Sequence, residues 1–162
     1  MLIGPMQPVF LEGVRRPLLI VHALIAFACL GAATHLAIVS IHLLQGRTHL
    51  WRLARIYSQV IGGTFGAAFG AGLLLYPSYR YHVRALYLDR FAPWASNLFD
   101  IKENLLALAL PLAACLFFAG RSLDGKSEAP LAPALVYLSC SLWVLVASGA
   151  VLGLLVTAVK GV

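Results

Sequence analysis

PLLIVHALIAFACLGAATHLAIVSIHLL, residues 17–44, contains no Asp, Glu, Lys or Arg. An uncharged apolar run of this length reads as a membrane-spanning helix. At 1.5 Å per residue it is roughly 42 Å long, against a hydrocarbon core of about 30 Å, so it tilts or projects beyond the bilayer. Three histidines lie within it, His22, His35 and His42, and His49 follows just outside. Imidazole is uncommon in lipid-embedded helices and raises a functional question wherever it occurs. Arg15 and Arg16 precede the run, and Gly31-Ala32-Ala33 imitates a signal cleavage site. The apolar run continues past that point to Leu44, too far for a signal sequence, so it reads as an uncleaved first span.

The rest of the chain agrees with a membrane setting. Of 162 residues, 61% are hydrophobic and 11% charged, where soluble domains carry roughly 25% charged residues. The net charge of +6 comes from basic residues in short connections between apolar runs. Topology and lipid headgroups account for charge so placed, and no nucleic-acid partner is implied. Cys29, Cys115 and Cys140 fall in three different apolar runs, without the spacing of a metal site or a disulfide framework. They read as small buried side chains.

Three further spans are expected. Residues 56–76 form the second. Its centre carries Gly62, Gly66 and Gly70 at every fourth position, with Ala67 and Ala71 on the flank. Such a stripe lets another surface approach the backbone closely, a neighbouring helix first and a flat cofactor or quinone second. Tyr76-Pro77 should end this span, because the residue before proline is pushed out of helical dihedrals. Residues 78–99 mix Tyr79, Tyr81, Tyr87, Phe91, Trp94 and Phe99 with Arg80, Arg84, Asp89 and Arg90. That mixture suits an amphipathic segment lying in the membrane interface and docking a partner. The third span is expected over residues 100–120, opened by Asp100 and Glu103 as a capping box and kinked at Pro111. The fourth covers residues 131–159, with Ser139, Ser141 and Ser148 bonding back to their own helix. The expected fold is therefore an all-α integral membrane protein. It has four transmembrane helices, an interfacial segment between the second and third, and a single domain over residues 1–162.

Both termini then lie on one side. That side carries seven basic residues, Arg15, Arg16, Arg80, Arg84, Arg90, Lys102 and Lys160. The other carries five, Arg47, Arg52, Arg55, Arg121 and Lys126. The positive-inside rule leans to cytoplasmic termini, in a bacterial inner (plasma) membrane.

No hydrolase, phosphate-loop, zinc-protease or dinucleotide motif occurs. The spans as read contain no ionised side chain well inside the membrane, which counts against a carrier acting alone. The histidines remain. His35, His42 and His49 recur every seventh residue, within about 40° of one helix face, and His22 lies about 140° from His35. Imidazole is a standard axial ligand of haem. The other spans contain no histidine, so a bis-histidine haem b between their centres and the first span is excluded. One intramolecular pair remains as a metal-ligating candidate: His22, near the start of span one, and His82, just beyond the end of span two. The alternatives are a ligand from a partner subunit opposite His35 or His42, or a five-coordinate group. Against all of these stands plain hydrogen bonding to neighbours such as Thr34, Ser40, Thr64 or Ser139.

The leading expectation is an accessory or anchor subunit of a membrane electron-transfer complex, contacting haem b or quinone and packed against other membrane subunits and lipid. A structural or assembly protein without cofactor is the second. A small homo-oligomeric transporter or channel is the third.

Overall fold

The computed structural model describes residues 10–123 and 129–160, and every regular element among them is helical. Four helices are long and apolar enough to cross a membrane. They are α1 (Arg15–Leu44), α2 (Trp51–Ser78) with its continuation, α4 (Pro93–Ser122) and α5 (Ala132–Val159). They form an up-down-up-down ring: α1 packs on α2, α2 on α4, α4 on α5 and α5 on α1. The expected residues 1–9 and much of the polar loop after Leu123 lie outside the described residues.

These helices are apolar all round, so overall hydrophobicity does not mark the inward face. Burial does. In α5 the buried side chains are Leu135, Ser139, Leu142, Val146, Gly149 and Val156. In α2 they are Trp51, Ala54, Ser58, Ile61, Phe65 and Leu75. In α4 they include Phe99, Ala109, Ala113, Leu116 and Gly120. Each set steps alternately by three and four, the heptad seam of helices packed at shallow angles. Small residues recur on the seams because helices in lipid gain from close backbone approach rather than from burying apolar surface. A Cβ on Gly62 would lie 2.5 Å from the Cβ of Phe117, one on Gly120 2.6 Å from the Cβ of Ser58, and one on Gly149 2.8 Å from Leu106. Toward the C-terminal end of α1 the buried hydroxyls of Ser40 and Ser139 meet at 2.7 Å; one donates to the other, which donates to a carbonyl of its own helix, Ala37 or Val136.

The region after α2 departs from expectation. Pro77 sits inside the helix rather than ending it. The chain continues as a π-helix, Tyr79–Leu88, and a last turn, α3 (Asp89–Phe91). Pro77 has no N–H for the carbonyl of Leu73, but both residues face outward, while Leu75, Ser78 and Tyr79 are buried on the packed side. Packing on that side holds the helix together across the proline, and the slack is taken up in wider i→i+5 turns. The buried residues Tyr79, Val83 and Leu88 are spaced by four and then five, as such turns require.

The break comes instead at Ala92 (φ −148°, ψ 61°). Pro93 then occupies the first turn of α4, where its missing N–H costs nothing. The third long helix therefore begins seven residues before Asp100, and Asp100 and Glu103 are not its cap. No separate amphipathic segment intervenes; residues 79–99 form a helical hairpin. A small second core of Tyr79, Val83, Leu88, Ala92, Ala95 and Phe99 closes it onto Val156 of α5.

Candidate functional site

The seam of α1 runs through Cys29, Ala33, Leu36, Ser40 and Leu43. Extended back by steps of three and four, it reaches Ala26 and then His22. His22 is thus the histidine aimed along the bundle seam. Its Nδ1 lies 2.9 Å from the carbonyl oxygen of Ala68 on α2. A carbonyl only accepts, so Nδ1 carries the proton and donates it. In the neutral ring Nε2 then holds the lone pair. The imidazole lies over Gly72, whose Cβ, if present, would be 3.4 Å from His22 Cε1.

Lys102 occupies the corresponding seam of α4, between Phe99 and Leu106. Its ammonium stands 4.8 Å from the centre of the Phe99 ring, and its stem passes over Gly153 of α5, 3.7 Å from where a Cβ would be. Lys102 lies in the neighbourhood of His22 and of Glu103. One layer of the bundle therefore draws a residue from each long helix: His22, Gly72, Lys102 and Gly153. Two polar side chains fill the space that two glycines leave. The sequence puts Asp100, Lys102 and Glu103 in the opening turn of the third span and no ionised side chain well inside any span. Lys102 and Glu103 instead stand in the third turn of α4, because it starts at Pro93.

Beyond this layer Arg84 reaches from the π-helix to Asp100, donating from Nη1 at 2.7 Å and from Nη2 at 3.0 Å. Its Nε also lies 3.7 Å from Asp89, which accepts from Ser96 Oγ at 2.6 Å. Both acids of the hairpin are thereby paired while staying partly exposed. The hydroxyl of Tyr79 is buried within the field of Arg84, Glu103, Asp100 and Asp89, and its ring stacks on Phe99 with centroids 3.9 Å apart.

The other expected site residues are dispersed. His35 is exposed beside the seam and stacks on Tyr57 of α2, centroids 5.3 Å apart and 16° between planes. His42 is half-buried next to the seam residue Leu43, and His49 is exposed on the turn Thr48–Leu50. The spacing of seven therefore puts only His35 and His42 on one helical strip, beside the seam, and His49 lies past the end of α1. His82 is half-buried on the π-helix with its ring edge-on to Tyr81, 5.0 Å between centroids. His22 and His82 stand at different levels along α2 and its continuation. His22 is level with Ala68 and Gly72, and the uninterrupted helix carries His82 ten residues further on, roughly 15 Å at 1.5 Å per residue. No group of three or more His, Cys, Asp or Glu side chains with metal-binding geometry occurs among the described residues.

The glycine stripe divides. Gly62 packs against Phe117, whereas a Cβ on Gly66 or Gly70 would meet nothing within 4 Å. Gly62, Gly63 and Gly66 instead form the floor of an open, almost wholly apolar groove of about 210 Å³ between α2 and α4, walled by Phe65, Leu110 and Phe117. Sequence reasoning missed Lys102, Gly72 and Gly153. Their common signal is register: each falls on the three–four repeat of its own helix. No known protein family, curated protein or solved structure matches this chain.

Proposed function

We propose that this chain is an accessory or anchor subunit of a membrane electron-transfer complex of the respiratory type, and that its His22–Lys102 layer contacts a quinone. The observation that supports this is the fixed tautomer of His22. With Nδ1–H committed to Ala68, Nε2 is an acceptor, and the Lys102 ammonium nearby is a donor. A quinone oxygen accepts from an ammonium and a quinol hydroxyl donates to an imidazole lone pair, so the two groups suit both redox forms. Nδ1–H bonded to a backbone carbonyl is also the state in which imidazole binds iron through Nε2. A haem b would supply one-electron chemistry, but within this chain it finds only one imidazole at this level. In this reading the opposite ligand comes from another subunit. The setting we infer is a bacterial inner membrane with the termini on the cytoplasmic side.

A structural or assembly role without cofactor is the second reading. It is favoured by the in-chain partners of two imidazoles, Ala68 for His22 and Tyr57 for His35. A homo-oligomeric transporter or channel, the third, draws only on the outward face of Gly66 and Gly70. Purification of the tagged chain after mild solubilisation separates these readings. Co-purifying redox subunits support the first, partners without redox centres the second, and a stable oligomer of this chain alone the third.

A further inference from the structure

The π-helix that buries Tyr79, Val83 and Leu88 on one side presents Arg80 and Tyr81, then Ala85 and Leu86, then Arg90 and Phe91 on the other, at intervals of five. Trp94 continues this outward strip across the turn at Ala92. Phe91 is 71% exposed and Trp94 57%, values that mark an unpartnered surface in a hairpin whose inner side is fully packed. Asp89 and Asp100 of the same hairpin are held, partly exposed, by Arg84 and Ser96. Neither Arg80 nor Arg90 has an acidic partner among the described residues. The acids of the hairpin are thus matched by Arg84 and Ser96, while Arg80 and Arg90 stand without such a partner among the described residues, beside exposed aromatic rings.

The height of this strip follows from the pairing of α1 with α2. His22 lies against Ala68 and His35 against Tyr57, which puts Arg15 level with Leu75 to Pro77. Arg15 and Arg16 mark where α1 leaves the hydrocarbon, because an arginine there has no apolar shelter. The hairpin from Tyr79 to Trp94 therefore stands at that boundary, at the depth of the headgroups. Guanidinium groups pair with phosphate in a bidentate fashion, and Trp and aromatic rings settle at the same depth.

We propose that the outward strip of Arg80, Arg90, Phe91 and Trp94 is a binding surface for the headgroups of anionic phospholipid. Phosphate oxygens take the two guanidinium groups, and the aromatic side chains seat among the headgroups beside them. The surface is separate from the His22–Lys102 layer and does not depend on any electron-transfer role.

The test uses the full chain in nanodiscs of phosphatidylcholine alone or of phosphatidylcholine with phosphatidylglycerol. Retained lipid is read by native mass spectrometry and thermal unfolding is followed in parallel. Phosphatidylglycerol is expected to be enriched on the protein and to raise its unfolding temperature, with soluble glycerol phosphate giving no such shift. The R80Q/R90Q variant is expected to lose roughly tenfold of the preference for anionic over neutral lipid. R52Q/R55Q, at the opposite end of α2, is expected to retain it. Equal retention of the two lipids by the unaltered chain, or equal loss in both double variants, overturns the proposal. An acidic protein that co-purifies through Arg80 and Arg90 while the lipid preference is nil assigns the strip to a protein partner instead. Unchanged helical circular dichroism and elution volume establish that each variant is folded.

Discussion

Arg84 holds Asp100 through both carboxylate oxygens, at 2.7 and 3.0 Å, and so ties the π-helix to the second turn of α4. The pair is partly exposed, with side chains 29% and 43% accessible, so water screens part of its attraction. Replacing Arg84 by Gln is expected to cost about 1 kcal/mol or less, lowering the unfolding temperature in detergent by roughly 2–4 °C. The exchange Arg84→Asp with Asp100→Arg should recover part of the loss. A single variant with no effect on hairpin protection in hydrogen exchange would show that the small core around Val83 and Leu88 holds the hairpin alone.

Gly62 and Gly66 are alike in sequence and differ in the fold. A Cβ at Gly62 is placed 2.5 Å from the Phe117 Cβ, while one at Gly66 meets nothing within 4 Å. Gly62→Val is therefore expected to destabilise the chain by roughly 1–3 kcal/mol through overpacking. Gly66→Ala should change its stability by about 0.5 kcal/mol or less. Thermal unfolding of both variants checks the contrast. If Gly66→Ala leaves stability alone but breaks an assembly, its open face is an interface with another subunit.

The serine pair in the bundle core contributes less than its burial suggests. Ser40 and Ser139 lie 2.7 Å apart, yet each has a carbonyl of its own helix, Ala37 or Val136, within reach as an alternative acceptor. Losing one hydroxyl leaves the other satisfied. A double-mutant cycle with Ser40→Ala and Ser139→Ala should give a coupling of about 0.6 kcal/mol, the ordinary value for interhelical hydrogen bonds in lipid. A coupling of several kcal/mol would mean that these back-bonds do not compensate.

The four spans were legible because uncharged runs of membrane length admit few other readings. What lay between them was not. The rule that predicts a break before proline applies equally to Tyr76-Pro77 and Ala92-Pro93, and only the second breaks. At the first, Leu75, Ser78 and Tyr79 are buried in continuous packing and outweigh the local preference. At the second, Ala92 sits where the chain turns back on its own small core. The site was half visible. His22 stood out by its chemistry, but His35 and His42 drew equal notice because their spacing of seven imitates a seam. Lys102 was hidden by the misplaced start of α4, which made it a flanking residue. In helices apolar on every side, only the small and polar members, such as Ser139 and Gly149, disclose which face is inward.

The tautomer of His22 is open to direct measurement. Nitrogen-15 shifts of the histidine rings in the lipid-embedded protein should show one imidazole with Nδ1 protonated, lost in His22→Gln, and insensitive to His35→Gln. A proton on Nε2 instead would mean that Ala68 is not the acceptor, and would remove the lone pair on which the proposed contact depends.

The most direct test of the central claim is the cofactor content of the assembly purified with the unaltered chain, with His22→Gln and with Lys102→Met. Quinone is extracted and quantified, and the reduced-minus-oxidised visible spectrum is recorded on the same samples. The account predicts bound quinone in the unaltered assembly, lost several-fold in both variants while the subunits remain associated. An assembly free of quinone and of haem, or one whose cofactors are indifferent to both substitutions, would contradict it.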